Sequence, residues 1–445
     1  MEQVTLENRI KDFNFQNWVE SDVIDLIINC LDNDETYEYK KGVCGSSQVT
    51  ADLFLPNGCK VLGFHKKSII EIKRFITNDA LHSIRLIYDN LSDFNEMIVI
   101  SGNYPQAIDF FLQSYLAGRN IRYITINELL KLYDSNKTTI HVDNNKSLTE
   151  DDKQKATIEY AKKEIEKDRQ IVFFLGAGVS IGAGVIGWDD LLKGLTKELY
   201  GTEDNTFIND GEMTSIQKGR YIIDEFAALG KDYVQSVKQL LYSNNPQGCD
   251  LIDSIAKYAF RLDSIITYNY DDLVETKINS IYDNYCCPIF GDSRMSDGCV
   301  LPVYHVHGFI PQSEKAFSSK IVLGEKQYHQ IYQQSYNWSN VEQLHALTRK
   351  TCFFIGLSMK DPNLRRLIDF AKTEDGEAHH IVFLRRESEK FDKMNSRIFE
   401  EMGIRCLWFN SYDDLPRLLN SLLPHPKREK EDIRRAWEHK TNPIN

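Results

Sequence analysis

Phe173-Phe174-Leu175-Gly176-Ala177-Gly178-Val179-Ser180 is an apolar run that passes straight into small residues. Ile181-Gly182-Ala183-Gly184 follows, then Gly187-Trp188-Asp189-Asp190-Leu191-Leu192. The first five-residue apolar stretch, Ile171–Leu175, has the length and composition of a fully buried strand, and the residues from Trp188 onward begin a helical pattern. Closely spaced glycines between a strand and a helix permit two things. Backbone amides can approach a pyrophosphate with the helix's positive end behind them, or two backbones can pack closely. The spacing is not GxGxxG, so an ordinary dehydrogenase fingerprint is absent.

Strands of the same buried type alternate with helical stretches as far as Leu423. They are expected at Ser264–Thr267, Val303–His307, Thr351–Ile355, Ile381–Leu384 and Arg405–Trp408, which predicts an α/β fold with a doubly wound, parallel, Rossmann-like sheet. In such sheets ligands sit at the C-terminal strand ends, and three of these strands end in polar or small residues. Thr267-Tyr268-Asn269-Tyr270-Asp271-Asp272 offers an amide that both donates and accepts, or a turn whose Asn and Asp bond their own backbone. Val303-Tyr304-His305-Val306-His307-Gly308 places His305 and His307 on one strand face, with Gly308 allowing a sharp turn after them. A metal pair there would need a third ligand, and no residue at fitting spacing supplies one. Cys352-Phe353-Phe354-Ile355-Gly356-Leu357-Ser358-Met359-Lys360-Asp361-Pro362-Asn363 again runs from strand into Gly-x-Ser, suited to close ligand approach or to a packed loop.

In this order GAGVS, TYNYD, HVHG and GLSMKDPN resemble the sirtuin-like NAD-binding superfamily over about residues 170–423. They are most similar to its bacterial antiphage branch, which hydrolyses NAD instead of deacetylating proteins. The segments Val322–His329 and Gly403–Leu419 resemble that branch too. The resemblance implies that Gly176, Ala177, Gly178 and Ser180 cradle the pyrophosphate and nearby ribose, and that Gly356 and Ser358 line the adenosine side. Asn269 would position the water or ribose at the scissile bond, and Asp271 would meet the nicotinamide carboxamide. His307 would contact the ribose hydroxyls and act as general base, a role suited to a group whose pKa lies near working pH. The four-cysteine zinc module of deacetylating sirtuins is missing, so no zinc is expected. Val185-Ile186-Gly187-Trp188 replaces their Pro and Phe-Arg, which implies a differently shaped nicotinamide pocket that includes Trp188.

Ahead of this region, residues 1–135 read as a smaller α/β domain. A helical pattern covers Trp18–Leu31, and strand-like runs occupy Val49–Leu55, Ser68–Ile72, Met97–Ser101 and Ile121–Ile126, with a helix beyond Pro105. Asp52, Glu71 and Lys73 form a D-x18-E-x-K arrangement on two of these strands, with Glu71 and Lys73 on one face. It resembles the restriction-endonuclease-like fold, which implies a Mg²⁺ site at those three residues if the domain is active. An alternative function is therefore a DNA nuclease regulated by NAD or ADP-ribose bound to the sirtuin-like domain. A sensing or oligomerising module, or a non-catalytic nucleotide-binding scaffold, is the remaining option. Residues 136–169 read as a polar linker and a charged helix, and 424–445 as a charged tail.

Composition sets the outer limits. Across 445 residues the chain is 42% hydrophobic and 27% charged, which is ordinary globular usage and excludes disorder, collagen and coiled coil. The net charge of −12 disfavours a nucleic-acid coat or a membrane-surface protein. No apolar run reaches the ~18–20 residues of a membrane span, and the acidic N-terminus resembles no targeting signal, so a cytoplasmic protein is expected. The nine cysteines contain no CxxC pair and are expected to be free, mostly buried thiols. An NAD hydrolase that is always on would kill its host. The expectation is therefore an effector of abortive infection held at low activity until a partner protein, a nucleotide signal or homo-oligomer assembly triggers it.

Overall fold

The computed structural model describes residues 20–32, 34–42, 50–102, 118–136, 149–167, 169–201, 213–291, 299–313, 320–334, 337–372 and 379–424. The helix expected beyond Pro105, most of the linker, Cys44 and all but the first residue of the tail lie outside them. The chain divides into two compact units. One comprises Met1–Tyr160 with Lys372–His379 and Glu387–Cys406, the other Ala161–Ala371 with His380–Arg386 and Leu407–Asn445. No helix among the described residues is long and apolar enough to cross a membrane.

The first unit holds a five-stranded sheet of β1 (Glu38–Gly42), β2 (Thr50–Leu55), β3 (Ser68–Lys73), β4 (Glu96–Ser101) and β5 (Ile121–Thr125), in that spatial order. β1–β2 and β2–β3 pair antiparallel, and β3–β4 and β4–β5 pair parallel. The change of direction follows from the connections. A loop over residues 56–67, with Gly58 at φ +78° and a Cys59–Phe64 bridge, links β2 to β3, whereas the helix Asn78–Asn90, capped by the Thr77 side chain on Ala80 N–H, carries the crossover to β4. Strand alternation sorts two cores. Leu53, Leu55, Ile70 and Ile72 pack with Ile24 and Ile27 of the helix Glu20–Asn29, while Phe54 and Ile69 pack with Leu81, Ile84 and Ile87. β1 escapes the sequence pattern because its Glu-Tyr-Lys-Lys-Gly is a polar edge strand with no apolar period.

The second sheet has the order β12-β11-β10-β6-β7-β9-β8. Its strands are β6 (Ile171–Leu175), β7 (Leu262–Thr267), β8 (Cys286–Ile289), β9 (Leu301–His305), β10 (Thr351–Ile355), β11 (His380–Arg385) and β12 (Ile404–Phe409). The pairs β11–β10, β10–β6, β6–β7, β7–β9 and β9–β8 run parallel, as expected of strands that read as unbroken apolar runs. β6 and β10 are fully buried, with Phe173 stacked on Phe353. Chain order reverses at β6, so its C-terminal end is the topological switch point where ligands bind in open α/β sheets. β8 is an edge strand that tolerates Pro288, which is why its short Cys-Cys-Pro-Ile run carries no strand signal.

One cysteine expectation is corrected. β8 and β9 are neighbours with Cys287 opposite Pro302, and this brings Cys287 within 5.9 Å (Cα–Cα) of Cys299, with which it forms a disulfide. Cys30, Cys59, Cys286 and Cys352 are free and buried, while Cys249 and Cys406 are free and half-buried.

Candidate active site

Four strand ends finish on one level. Leu175 of β6 pairs with Ile355 of β10 and with Thr267 of β7, and Thr267 pairs with His305 of β9. The four motifs read from the sequence therefore leave the sheet side by side.

The glycine-rich turn folds tightly onto the loop after β10. Gly176 N–H donates to the Ile355 carbonyl at 3.1 Å and Gly178 N–H to the Gly356 carbonyl at 3.0 Å. A Cβ at Gly176 would lie 2.6 Å from the Leu357 side chain, and one at Gly178 would lie 2.9 Å from Gly356 Cα and O. Close backbone packing alone thus demands glycine at both positions. The helix that follows is only Gly178–Ile181, less than a full turn and a half, so the expected helix-end contribution is weak there. Trp188 begins the next helix, Trp188–Tyr200, and is half-buried, whereas Ala177 and Ser358 are exposed.

Beyond β7 the polar residues bind one another. Asn269 Nδ2 donates to Ser180 Oγ at 3.0 Å, and Ser180 Oγ donates to Asp271 Oδ1 at 3.1 Å. Asp271 is buried, and burial pushes its carboxyl up to about 6 against the bonds from Ser180 and Leu273 N–H. The Asn269 backbone is fixed from both sides. Its N–H reaches Thr267 Oγ1 at 3.1 Å, and its carbonyl accepts from His305 Nδ1 at 3.0 Å. His305 in turn binds Glu275 through Nε2. Burial works against a charged imidazole, but Glu275 and the Asn269 carbonyl outweigh it and raise the pKa of His305.

His305 and His307 do not share a face. β9 ends at His305, and the chain then turns through Gly308 at φ +104°, so the two rings serve different partners. His307 lies with its Nε2 3.6 Å from Asp361 Oδ2 and its ring edge-on to Tyr268, 4.6 Å between centres. Burial lowers its pKa and Asp361 opposes this only in part. The HxH metal pair is not realised: among the described residues no group of three or more His, Cys, Asp or Glu could hold a metal.

Sequence reading missed Glu275, Tyr328 and Asp361 as members of this site. Glu275 lies in the first turn of the helix Leu273–Ile281, and Asp361 precedes Pro362 at the first position of a helix, a helix-start signature that was legible.

In the first unit, Asp52, Glu71 and Lys73 are all buried. Lys73 Nζ lies 2.8 Å from Glu71 Oε1, and Asp52 accepts the Ile72 N–H at 2.6 Å. Lys40, in the left-handed backbone region at φ +50°, inserts its ammonium between Asp52 and Glu20. Burial opposes charge on Asp52, but Lys40 and Lys73 outweigh it and hold its carboxyl low. Burial and the neighbouring Asp52 push Glu71 up to about 7, and its Oε2 has no hydrogen-bond partner. Two ammonium groups already face this carboxylate pair, so the arrangement does not fit a divalent cation.

Residues 263–407 match the SIR2-like domain family. The chain is 24% identical over 296 residues to the NAD(+) hydrolase ThsA of Cytobacillus dafuensis, which covers 60% of this chain and 55% of that relative. It is 25% identical over 278 residues to the defense-associated sirtuin 2 of Bacillus subtilis, covering 57% of this chain and 25% of that protein. The solved structure of Sir2Tm bound to a propionylated peptide aligns over 62% of this chain and 99% of that one, at 12% identity and a TM-score of 0.33. The chain spans about half the length of this ThsA relative and a quarter of the Bacillus subtilis protein. Over residues 263–407, therefore, the chain is similar to the SIR2-like domain family.

Proposed function

We propose that the protein is an NAD⁺ glycohydrolase that depletes NAD as a triggered effector of antiphage defence. The observation that carries this reading is the level register of β6, β7, β9 and β10, which gathers Ser180, Asn269, Asp271 and His307 at one sheet edge. The similarity to proteins named NAD(+) hydrolase and defense-associated sirtuin supports it. The C1′–N1 glycosidic bond breaks with its electron pair leaving on nicotinamide, already a cationic leaving group, through an oxocarbenium-like transition state. Water forms the new C1′–O bond and its proton passes to His307, giving nicotinamide and ADP-ribose. Asn269, fixed through its backbone and its Nδ2, presents its amide oxygen to the water, so positioning supplies most of the acceleration. Gly176, Ala177, Gly178, Gly356 and Ser358 line the dinucleotide, with Trp188 bordering the nicotinamide. The enzyme works in the cytoplasm and stays nearly silent until a partner, a nucleotide signal or self-assembly releases it.

The test is expression with the genomic neighbours, followed by phage challenge and measurement of cellular NAD and DNA integrity. Wild type and the Asp52→Ala/Lys73→Ala pair are expected to lose NAD, and Asn269→Ala and His307→Ala to keep it. NAD loss in both of the latter variants overturns the hydrolase reading. DNA degradation abolished only by the Asp52/Lys73 change would favour a nuclease.

A further inference from the structure

Three side chains from three elements close on His307. Tyr268, just past β7, meets the ring edge-on at 4.6 Å, and Tyr328, from the helix Glu325–Gln333, meets it edge-on at 5.5 Å. Asp361, ahead of the helix Pro362–Ala371, faces Nε2 at 3.6 Å. Asp361 cannot swing freely. Its Oδ1 accepts Leu364 N–H at 2.8 Å, which ties it to the first turn of its helix, and its Oδ2 accepts the Tyr328 O–H at 2.8 Å. Burial and the adjacent carboxylate push the Tyr328 phenol far above its usual range, so it remains a donor at every working pH. Tyr268 is likewise held neutral by burial, so Asp361 is the one carboxylate that faces the imidazole from these elements. A contact of 3.6 Å is long for a hydrogen bond, and catalytic hydrogen bonds commonly tighten once substrate is bound.

We propose that Asp361 and Tyr328 are a positioning pair for His307: the phenol and a helix N–H fix the carboxylate, which directs Nε2–H towards Oδ2 and leaves Nδ1 as the proton acceptor. The proposal rests on the hydrolase reading above. When water adds to C1′, its proton goes to Nδ1, the O–H electron pair stays on the attacking oxygen, and the imidazolium so formed keeps its Nε2–H on Asp361. A buried imidazole alone would be a poor base, because burial disfavours its charged form, and the carboxylate offsets that penalty at the moment of proton uptake. The bland alternative is that Asp361 serves only to start its helix. Asp361→Asn separates the two, since Asn caps a helix about as well as Asp and fills the same space without the charge.

The experiment uses the full-length chain labelled with ¹³C-histidine. The imidazole titration of His307, assigned with His307→Gln, is followed by NMR, alongside kcat and KM for NAD as functions of pH. In Asp361→Asn the His307 pKa is expected to fall by about one unit. The acid limb of kcat/KM should follow it to lower pH, and kcat should drop about 10- to 100-fold with KM nearly unchanged. Tyr328→Phe should move both readouts the same way by less, and it carries the test if the Asn variant does not fold. An unmoved His307 pKa, or a moved pKa with unchanged kcat, overturns the positioning role. Full NAD hydrolysis by His307→Gln instead overturns the hydrolase mechanism, and it does so whatever the titration shows.

Discussion

Replacing Glu275 separates charge from geometry at the site. His305 is fully buried and its partner Glu275 nearly so, at 0% and 6% side-chain exposure. The ring reaches Glu275 through Nε2 and the Asn269 carbonyl through Nδ1, so a charged ring satisfies both acceptors. Glu275→Leu leaves a buried imidazole with one of its two partners, and breaking a buried pair in this way costs about 3–5 kcal/mol. Glu275→Gln should behave differently. Its amide can donate to a neutral Nε2 while Nδ1–H continues to serve Asn269, so a neutral network replaces the ion pair at a cost of about 1 kcal/mol or less. The pH dependence has a definite sign. Glu275 holds the folded-state pKa of His305 above its ordinary value. The stabilisation is therefore complete below the unfolded pKa of about 6.5 and is lost as pH rises through the higher folded value. The Gln variant should lack that slope. Guanidinium unfolding, followed through the fluorescence of Trp188, Trp338 and Trp408, measures both effects between about pH 5.5 and 9. Equal destabilisation by Leu and Gln, or a wild-type pH slope that survives in the Gln variant, would refute the reasoning.

Two further outcomes follow from contacts already described. Gly178→Ala forces a Cβ to within 2.9 Å of the Gly356 backbone, which itself sits at φ +66° and cannot retreat cheaply. Thermal melts should show a loss of about 1–3 kcal/mol, and NAD turnover should fall as the two loops part. In the first unit, Lys40→Met leaves Asp52 and Glu20 facing each other without their shared ammonium, and should destabilise β2 and β3 by about 3–5 kcal/mol, read as faster amide hydrogen exchange. Lys40→Met/Asp52→Asn should recover much of that loss, and added Mg²⁺ or Mn²⁺ should not stabilise the wild-type unit.

The strands that anchor the second sheet were legible because nothing competes with their signal. Ile171–Leu175 and Thr351–Ile355 are short apolar runs stopped by glycine, and they fold as read. Edge strands were harder. A polar Glu-Tyr-Lys-Lys-Gly and a Cys-Cys-Pro-Ile can each join a sheet because one neighbour suffices, so neither needs an apolar period. The candidate strand-end residues could be grouped from sequence, since the C-terminal ends of parallel strands lie on one side of a sheet. Their supports could not be found. Asp361 meets His307 across 54 positions of chain, and Glu275 meets His305 across 30, distances that only the register of β7, β9 and β10 closes. The glycine-rich turn shows the other limit. Sequence allowed either packing or phosphate approach, and the structure makes packing sufficient for Gly176 and Gly178.

Buried charge marks both units, yet it argues for function in only one. In the first, Glu20, Asp52 and Glu71 meet Lys40 and Lys73, and these ammonium groups neutralise Asp52 and satisfy one oxygen of Glu71. Such a cluster explains a D-x18-E-x-K pattern as internal pairing. In the second, the buried acids Asp271 and Glu275 and the half-buried Asp361 are held by a serine, two histidines, a tyrosine and backbone N–H groups, and among the described residues no lysine or arginine is bonded to them. The balance there depends on histidine protonation, with Glu275 raising His305 and burial lowering His307 from the ordinary imidazole value, and on an asparagine held through its backbone and its Nδ2. Under the hydrolase reading proposed above, binding a ligand at these strand ends gives Asn269 and His307 their physical reason.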